Sequence, residues 1–315
     1  MANPNTSAAL EVLLRERAKL EAAVLAKLTR RGYDYDAQKF LRWAAEHGFS
    51  LPATTEAVAL YVTDELTRGM KISTTMRRAF AIRYWHRARD MPDPVTKDIW
   101  LLLRGARRLR FEGPRRVEPL SIDEVRRISA LLAGDDTAVA ARNRSIVLLG
   151  FASALRSASI SRLRLEDVHF VPQGVILDLW KEKNNQEGPY REVAIPFGEH
   201  PDTCPVAALR AWLKHRGETP GPLYRRFDHR AQGGAAIRAQ RVCQIVQRCV
   251  RRLGLDATKY GSHSLRRGFC STAADNGCTE LQISATTGHR DISIVREYCK
   301  RRDLWVANAS ARLGL

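Results

Sequence analysis

The stretch G-S-H-S-L-R-R-G, residues 261–268, sets His263 and Arg266 three residues apart. Ser262 reads as a helix N-cap, which puts His263 in the first turn and Arg266 one turn on, along the same side. Helix dipole, free amides and a guanidinium all favour an anion there, so the pair has the chemistry of a phosphate site. The spacing alone is not specific, because His86 and Arg89 repeat it nearer the N-terminus. Composition does not choose between the two pairs. Further on, T-T-G-H-R-D-I-S-I-V-R-E-Y-C-K, residues 286–300, carries His289 and, nine residues later, Tyr298. On a helix Ile294, Val295 and Tyr298 share a face, the pattern of a core tyrosine. Yet Arg290, Arg296, Lys300, Arg301 and Arg302 crowd the same segment, which suits a phenol brought to something negatively charged. Both readings of Tyr298 stand at this point. Upstream, Arg156 follows an apolar run in F-A-S-A-L-R-S-A-S-I, and Lys181 and Lys183 stand in W-K-E-K-N-N-Q-E-G.

The totals bound what such residues act on. A chain of 315 residues, 44% of them hydrophobic, is long enough for two domains with cores of their own. A formal charge of +18 calls for a polyanionic partner, of which nucleic acid is the commonest. No apolar run approaches the roughly 18 residues of a membrane span. The opening M-A-N-P-N-T-S-A-A-L lacks the basic-then-apolar pattern of a secretion signal. The six cysteines form no C-x-x-C pair and read as reduced, packed thiols. A soluble cytoplasmic protein associated with the nucleoid, with no membrane partner, is the expectation. His263, Cys270, Cys278 and His289 match no standard zinc spacing. No Walker-type phosphate loop is present.

Periodicity and breakers supply the elements that must position these residues. Amphipathic helices are predicted over residues 7–29, 36–46, 55–67, 74–89 and 94–108, separated by turn-like R-G-Y-D-Y-D, H-G-F-S-L-P-A-T, R-G-M-K-I-S and D-M-P-D-P. Residues 110–119, R-F-E-G-P-R-R-V-E-P, read as a linker between a helical domain, 1–109, and a mixed domain, 120–315. Residues 71–116 carry 13 Lys+Arg against 4 Asp+Glu, a surplus of 9. A surplus so concentrated fits a surface laid along a phosphate backbone, with Lys71, Arg77, Arg78, Arg83, Arg87, Arg107 and Arg108 as candidate contacts. In the second domain helices are predicted at 121–133, 137–154, 205–216 and 235–253, and a β-hairpin from runs 175–180 and 190–195. The fold class is mainly α with a small β component.

The ordered set of Arg156, Lys183, H-x-x-R at 263–266, G-H at 288–289 and Tyr298 resembles the tyrosine recombinase (phage integrase) family. C-P-V-A-A-L-R-A-W-L after the hairpin and the tail R-R-D-L-W-V-A-N-A-S-A-R-L-G-L extend the likeness. It is strong over residues 119–315; the basic helical region before them is similar, by pattern, to the family's core-binding domain. The resemblance implies a helical DNA-binding domain followed by an α+β catalytic domain. It makes Tyr298 the nucleophile that forms a 3′-phosphotyrosine, with Arg156 and Arg266 gripping the non-bridging oxygens. His289 donates to the same phosphate, His263 accepts the phenolic proton, and Lys183 protonates the leaving 5′ oxygen, with Lys181 as a neighbouring phosphate contact. These roles supply what in-line cleavage of a phosphodiester requires without a metal or other cofactor. The implied partner is a double-stranded DNA recombination site, bound by a homotetramer with a dimer on each site, exchanging strands through a Holliday junction. The tail, 303–315, would dock on a neighbouring protomer; no accessory protein is named by the sequence. One position departs from the family: Ser159 stands where a carboxylate is usual, leaving Glu166 or Asp167 to compensate. A type IB topoisomerase, or a DNA-binding regulator with weakened catalysis, are the alternative readings.

Overall fold

A computed structural model describes residues 13, 16, 27–110, 113, 117–179, 191–226, 234–289, 291–306 and 309–313. The chain divides into two compact units, Met1–Pro114 and Arg115–Leu315. Of the expected linker, 110–119, residues 111, 112 and 114–116 lie outside the described ones. Arg110 belongs to the first unit, its Nη1 donating to the Leu66 carbonyl at 2.6 Å. Glu118 belongs to the second, where its amide donates to the Lys259 carbonyl at 2.8 Å.

Among the described residues the first unit contains the helices α1 Lys27–Glu46, α2 Thr55–Thr67, α3 Ile72–Arg87 and α4 Lys97–Leu109. Thr54 and Thr96 cap α2 and α4 with their hydroxyls. Phe40, Tyr61, Val62, Ile82 and Ile99 fill the core between them. The turn expected at R-G-Y-D-Y-D is instead helical, as part of α1. A glycine inside a helix costs about 1 kcal/mol. Here tertiary contacts outweigh that: Tyr33 packs on Tyr84 with ring centroids 5.7 Å apart. Asp36, fully buried, accepts from Arg77 Nε at 2.8 Å. The predicted 7–29 helix lies almost wholly outside the described residues, though Leu13 and Glu16 are helical.

The second unit places α6 Ala138–Ala152 against α5 Ile122–Ala133, α8 Pro205–Arg216 and α10 Ser262–Asp275. Its core runs from Ile128 through Ile146, Leu149 and Leu209 to Trp212, Ile245 and Leu265. Between α6 and α8 come α7 Ser157–Arg162 and an antiparallel sheet, β1 Val168–Val171, β2 Gly174–Leu179 and β3 Arg191–Pro196, in the order β1-β2-β3. The predicted hairpin is β2–β3, in a register that pairs Gly174 with Pro196 and Leu179 with Arg191. Strand β1, not expected, is four residues cut off by Pro172, too short for alternation to register. A Cβ on Gly174 would stand 2.1 Å from the Ile195 carbonyl oxygen, so only glycine lets β2 and β3 approach so closely there. Helix α9 Ala239–Arg252 starts four residues later than predicted. The backbone before it is spent on pairing, Arg226 donating to Ala235 and Ile237 to Tyr224.

Helices α11 Glu280–Thr287 and α12 Ile292–Val306 complete the unit against α10. Cys270, Ala274, Ile283, Val295 and Cys299 form a small separate core beneath them. All six cysteines are free thiols. Among the described residues no helix is long and apolar enough to cross a membrane, and no group of three metal-binding side chains gathers.

Candidate active site

Helix α10 begins one residue earlier than the sequence suggests. Gly261 is the cap, extended at φ −170°, and Ser264 Oγ accepts its amide at 3.0 Å. His263 therefore sits in the first turn, exposed. The helix is pressed onto the backbone of residue 120: a Cβ on Gly268 would lie 2.0 Å from the Leu120 carbonyl oxygen. This contact holds Arg266 in place, 3% exposed. Its Nη1 donates to the Ala154 carbonyl at 2.7 Å and its Nη2 to His289 Nε2 at 2.8 Å. Ala154 turns that carbonyl inward by adopting φ 51°, a left-handed conformation that a residue with a Cβ adopts at a cost of about 1 kcal/mol. Two residues on, Arg156 opens α7 in extended conformation. Its Nη1 is buried without a hydrogen-bond partner among the described residues. A buried guanidinium nitrogen with nothing to donate to is a place for an anion's oxygen.

His289 follows Gly288, which caps α11 in the left-handed region at φ 67°. Because Arg266 can only donate, Nε2 of His289 is the acceptor and Nδ1 carries the proton, donating to Thr287 Oγ1 at 2.7 Å. Burial first, then the charges of Arg266, Arg156 and Arg191, push the imidazole down to about 4, so it is neutral near pH 7. Donation from His289 to a phosphate, expected from the sequence, thus requires Nε2 to exchange its acceptor role for a proton. Arg191 was not foreseen. The first residue of β3, it donates from Nη1 to the Thr286 carbonyl at 2.9 Å, and its guanidinium lies where a side chain on Gly288 would go. Only its place at the end of a hairpin strand hinted at it.

Tyr298 is half-buried on α12, its ring beneath Arg267 at 5.5 Å from the centroid. Of the two residues expected to pack with it, Val295 is fully buried but Ile294 is 47% exposed. Ile294 instead lines, with Tyr298, Arg267, Ser293 and Glu297, an open hollow of about 350 Å³. Arg267 is a second arginine missed in the sequence; α10 points Arg266 to the imidazole and Arg267 to the phenol. Four residues separate His263 from Arg267, which puts them on one face of α10. Lys181, Lys183 and Arg290 lie outside the described residues, as do the side chains of 300–308. The tail's first residues, 303–306, continue α12.

The carboxylates offered as substitutes at Ser159 are engaged elsewhere. Glu166 accepts from the Gly221 amide at 3.1 Å and from Arg164 at 2.8 Å. Its own and Gly221's backbone N–H, with Arg164, hold its carboxyl down to about 2. Asp167 accepts the Arg164 amide at 2.8 Å.

Of the cations proposed for the helical unit, Lys71, Arg107 and Arg108 are exposed. Arg87 is exposed and pairs with Asp93 at 3.1 Å; Arg83 is half-buried on the same carboxylate at 2.9 Å. Arg77 pairs with Asp36 and still exposes about half its side chain, 56%. Arg78 is a correction: it is 3% exposed, with its guanidinium between Glu65 and Asp36, so it holds the core together rather than facing a backbone phosphate. The second unit adds a basic cavity of about 580 Å³ lined by Arg142, Arg226, Arg238 and Arg241, which no motif marked.

The phage integrase family model matches residues 119–304, more than half of the chain. An integrase/recombinase xerD homolog of Selenomonas ruminantium is 29% identical over 95% of this chain and 89% of its own length. The tyrosine recombinase XerD of Caulobacter vibrioides is 28% identical over 92% of this chain and 89% of its own. Among solved structures, a XerH recombinase bound to its palindromic difH substrate after cleavage superposes with a TM-score of 0.61 at 17% identity, covering 83% of this chain and 73% of that one. A lambda integrase dimer on a core site gives 0.59 at 17%, covering 91% and 93%. The two structures share the fold; the family model shows the lineage, and the chain belongs to the phage integrase family, the tyrosine recombinases.

Proposed function

We propose that the protein is a site-specific DNA recombinase of the XerD kind, cutting and rejoining strands through a covalent tyrosine intermediate. One observation supports this above the others: Arg266, fixed by the Ala154 carbonyl, and Arg156, with a buried Nη1 unpartnered, converge on His289 to make an anion pocket. A scissile phosphate seated there receives both guanidiniums on its non-bridging oxygens, where negative charge grows in the transition state. Its charge also reverses the penalty that the arginines place on protonating His289, and the imidazole becomes a donor. The Tyr298 oxygen attacks phosphorus while the bond to the 5′ oxygen breaks in line. The phenolic proton passes to His263, and Lys183 supplies one to the leaving oxygen. The products are a 3′-phosphotyrosine and a free 5′ hydroxyl, and attack by a different 5′ hydroxyl gives strand exchange.

Both units contact the duplex in this reading, the first through Lys71, Arg77, Arg87, Arg107 and Arg108. Lys181 adds a contact beside the active site. Four protomers act on two sites through a Holliday junction, coupled by the 303–315 tail, in the cytoplasm on the nucleoid. The test is a nicked recombination site that loses its 5′ fragment after cleavage. The expected result is a DNA adduct on Tyr298 that survives denaturation and is absent in Tyr298→Phe. DNA binding without any adduct would make the protein a regulator. Relaxation of supercoils without exchange between two sites would make it a topoisomerase.

A further inference from the structure

We infer that Arg191 is a positioning residue of this active site, the joint through which strand β3 holds the corner from Thr286 to His289 and sets the imidazole against the phosphate clamp. The inference rests on the phosphate-clamp reading above and adds a residue to it. Arg191 pairs with Leu179 at the end of the β2–β3 ladder, so it directly follows the segment 180–190 that carries Lys181 and Lys183. Its side chain crosses from the sheet to the end of α11. There Nη1 donates to the Thr286 carbonyl at 2.9 Å, one of the acceptors that a helix leaves open at its C-terminus, and its positive charge meets the negative end of the helix dipole.

The same guanidinium lies against Gly288. A Cβ built there would be 3.0 Å from both Cζ and Nε of Arg191 and 3.2 Å from its Nη2. Glycine at this position therefore serves two needs, the φ of 67° that turns the chain from α11 toward His289 and the room for a flat cation. Arg191 thus fixes the backbone on both sides of Thr287, the residue whose hydroxyl fixes the His289 ring. Among the described residues, the charged groups facing that ring are Arg266 from α10, Arg156 at the start of α7 and Arg191 from β3. Lysine does not replace arginine here: an ammonium can reach the Thr286 carbonyl but cannot also fill the planar space under Gly288.

The arginine follows directly on the segment of sequence that carries Lys181 and Lys183 and reaches the histidine-bearing clamp. Displacing catalytic groups by an ångström can lower a rate by about a hundredfold. In full-length protein on the nicked substrate, Arg191→Met and Arg191→Lys should each slow single-turnover adduct formation at saturating DNA, by roughly ten- to a hundredfold. DNA affinity should change little. With ¹³C-labelled histidine, the His289 ring should titrate at a higher pH in Arg191→Met, where a cation is lost, and near its wild-type pH in Arg191→Lys, where charge is kept. Loss of a plain helix cap would lower the melting temperature without slowing cleavage.

Cleavage by both variants at the wild-type rate, with His289 titration unmoved, would overturn the inference. If Arg191→Met does not fold, Gly288→Ala presses on the same guanidinium with Arg191 retained. It should slow cleavage and, combined with Arg191→Lys, add no further loss; independent, multiplying losses would overturn the joint. Absence of an adduct from the wild-type chain would sink the recombinase reading instead, and the His289 titration in Arg191→Met would still decide whether Arg191 faces that ring.

Discussion

The molecule contains the spacing H-x-x-R twice, and the two copies have opposite fates. His86 is fully buried in the helical unit. Its Nδ1 donates to the Ile82 carbonyl at 2.9 Å and its Nε2 accepts the Ala53 amide at 3.1 Å, so both ring nitrogens are occupied by backbone. Arg89, exposed, folds back on its own helix, donating to the Trp85 carbonyl at 3.1 Å with its guanidinium 4.2 Å from the Trp85 ring centroid. At the second copy the histidine is exposed and the arginine is buried. Arg266 is braced by a strained carbonyl and directed at another histidine. Chemistry thus resides in what surrounding elements leave unsatisfied. At 86–89 nothing is left over, and at 263–266 the neighbouring Arg156 nitrogen is.

Substitutions can break this contrast, and the largest effect belongs to the clamp. Arg266→Ala should lower adduct formation on the nicked substrate by at least about a thousandfold, the scale of a lost transition-state donor, while Arg89→Ala leaves the rate unchanged. His263→Ala should slow the same step by roughly a hundredfold, as loss of a proton acceptor does, with little change in melting temperature.

His86→Leu inverts that pattern. Two buried backbone groups lose their partner, so urea unfolding of the helical unit should show a loss of about 2 kcal/mol, with cleavage unaltered where the protein stays folded. Wild-type rates for His263→Ala, or a dead enzyme from a folded His86→Leu, would erase the distinction between the copies.

A smaller effect follows from His289. Its folded imidazole is held near 4, below the ordinary value of 6.5, so the unfolded chain takes up its proton first as pH falls. The stability it confers is complete above pH 6.5 and is lost as pH drops toward 4. Thermal melts across that window should show a decline that His289→Asn reduces. The smallest change is Ala154→Gly, which removes the cost of the left-handed φ and should stabilise the second unit by up to about 1 kcal/mol with Arg266 still held.

Much of the scaffold was readable from the sequence where local signals agree with packing. Helix α2 begins after a Thr cap, and α8 begins with a proline and ends before a glycine; both follow their predicted bounds. What escaped was decided across distance. The glycine and aspartates of R-G-Y-D-Y-D read as a turn until Arg77, over 40 residues away, reaches Asp36. Arg78 counted as a surface cation because its carboxylates lie on other helices. Helix periodicity grouped Ile294 with Val295 and Tyr298, yet only Val295 faces the small core. In the candidate site, Arg156, Arg266 and His289, singled out by the ordered set, gather around one imidazole. Arg191 and Arg267 belong to no motif and became visible only where β3 and α10 set them against Gly288 and Tyr298.

The clamp is tested most directly by removing the charge it exists to hold. A nicked substrate with a methylphosphonate at the scissile position replaces one negatively charged non-bridging oxygen by a neutral methyl group. If Arg266 stabilises that oxygen, Arg266→Ala should cleave the methylphosphonate far closer to the wild-type rate than it cleaves the phosphate. Arg89→Ala should match the wild type on both substrates. An Arg266→Ala defect of equal size on the two substrates would contradict the clamp.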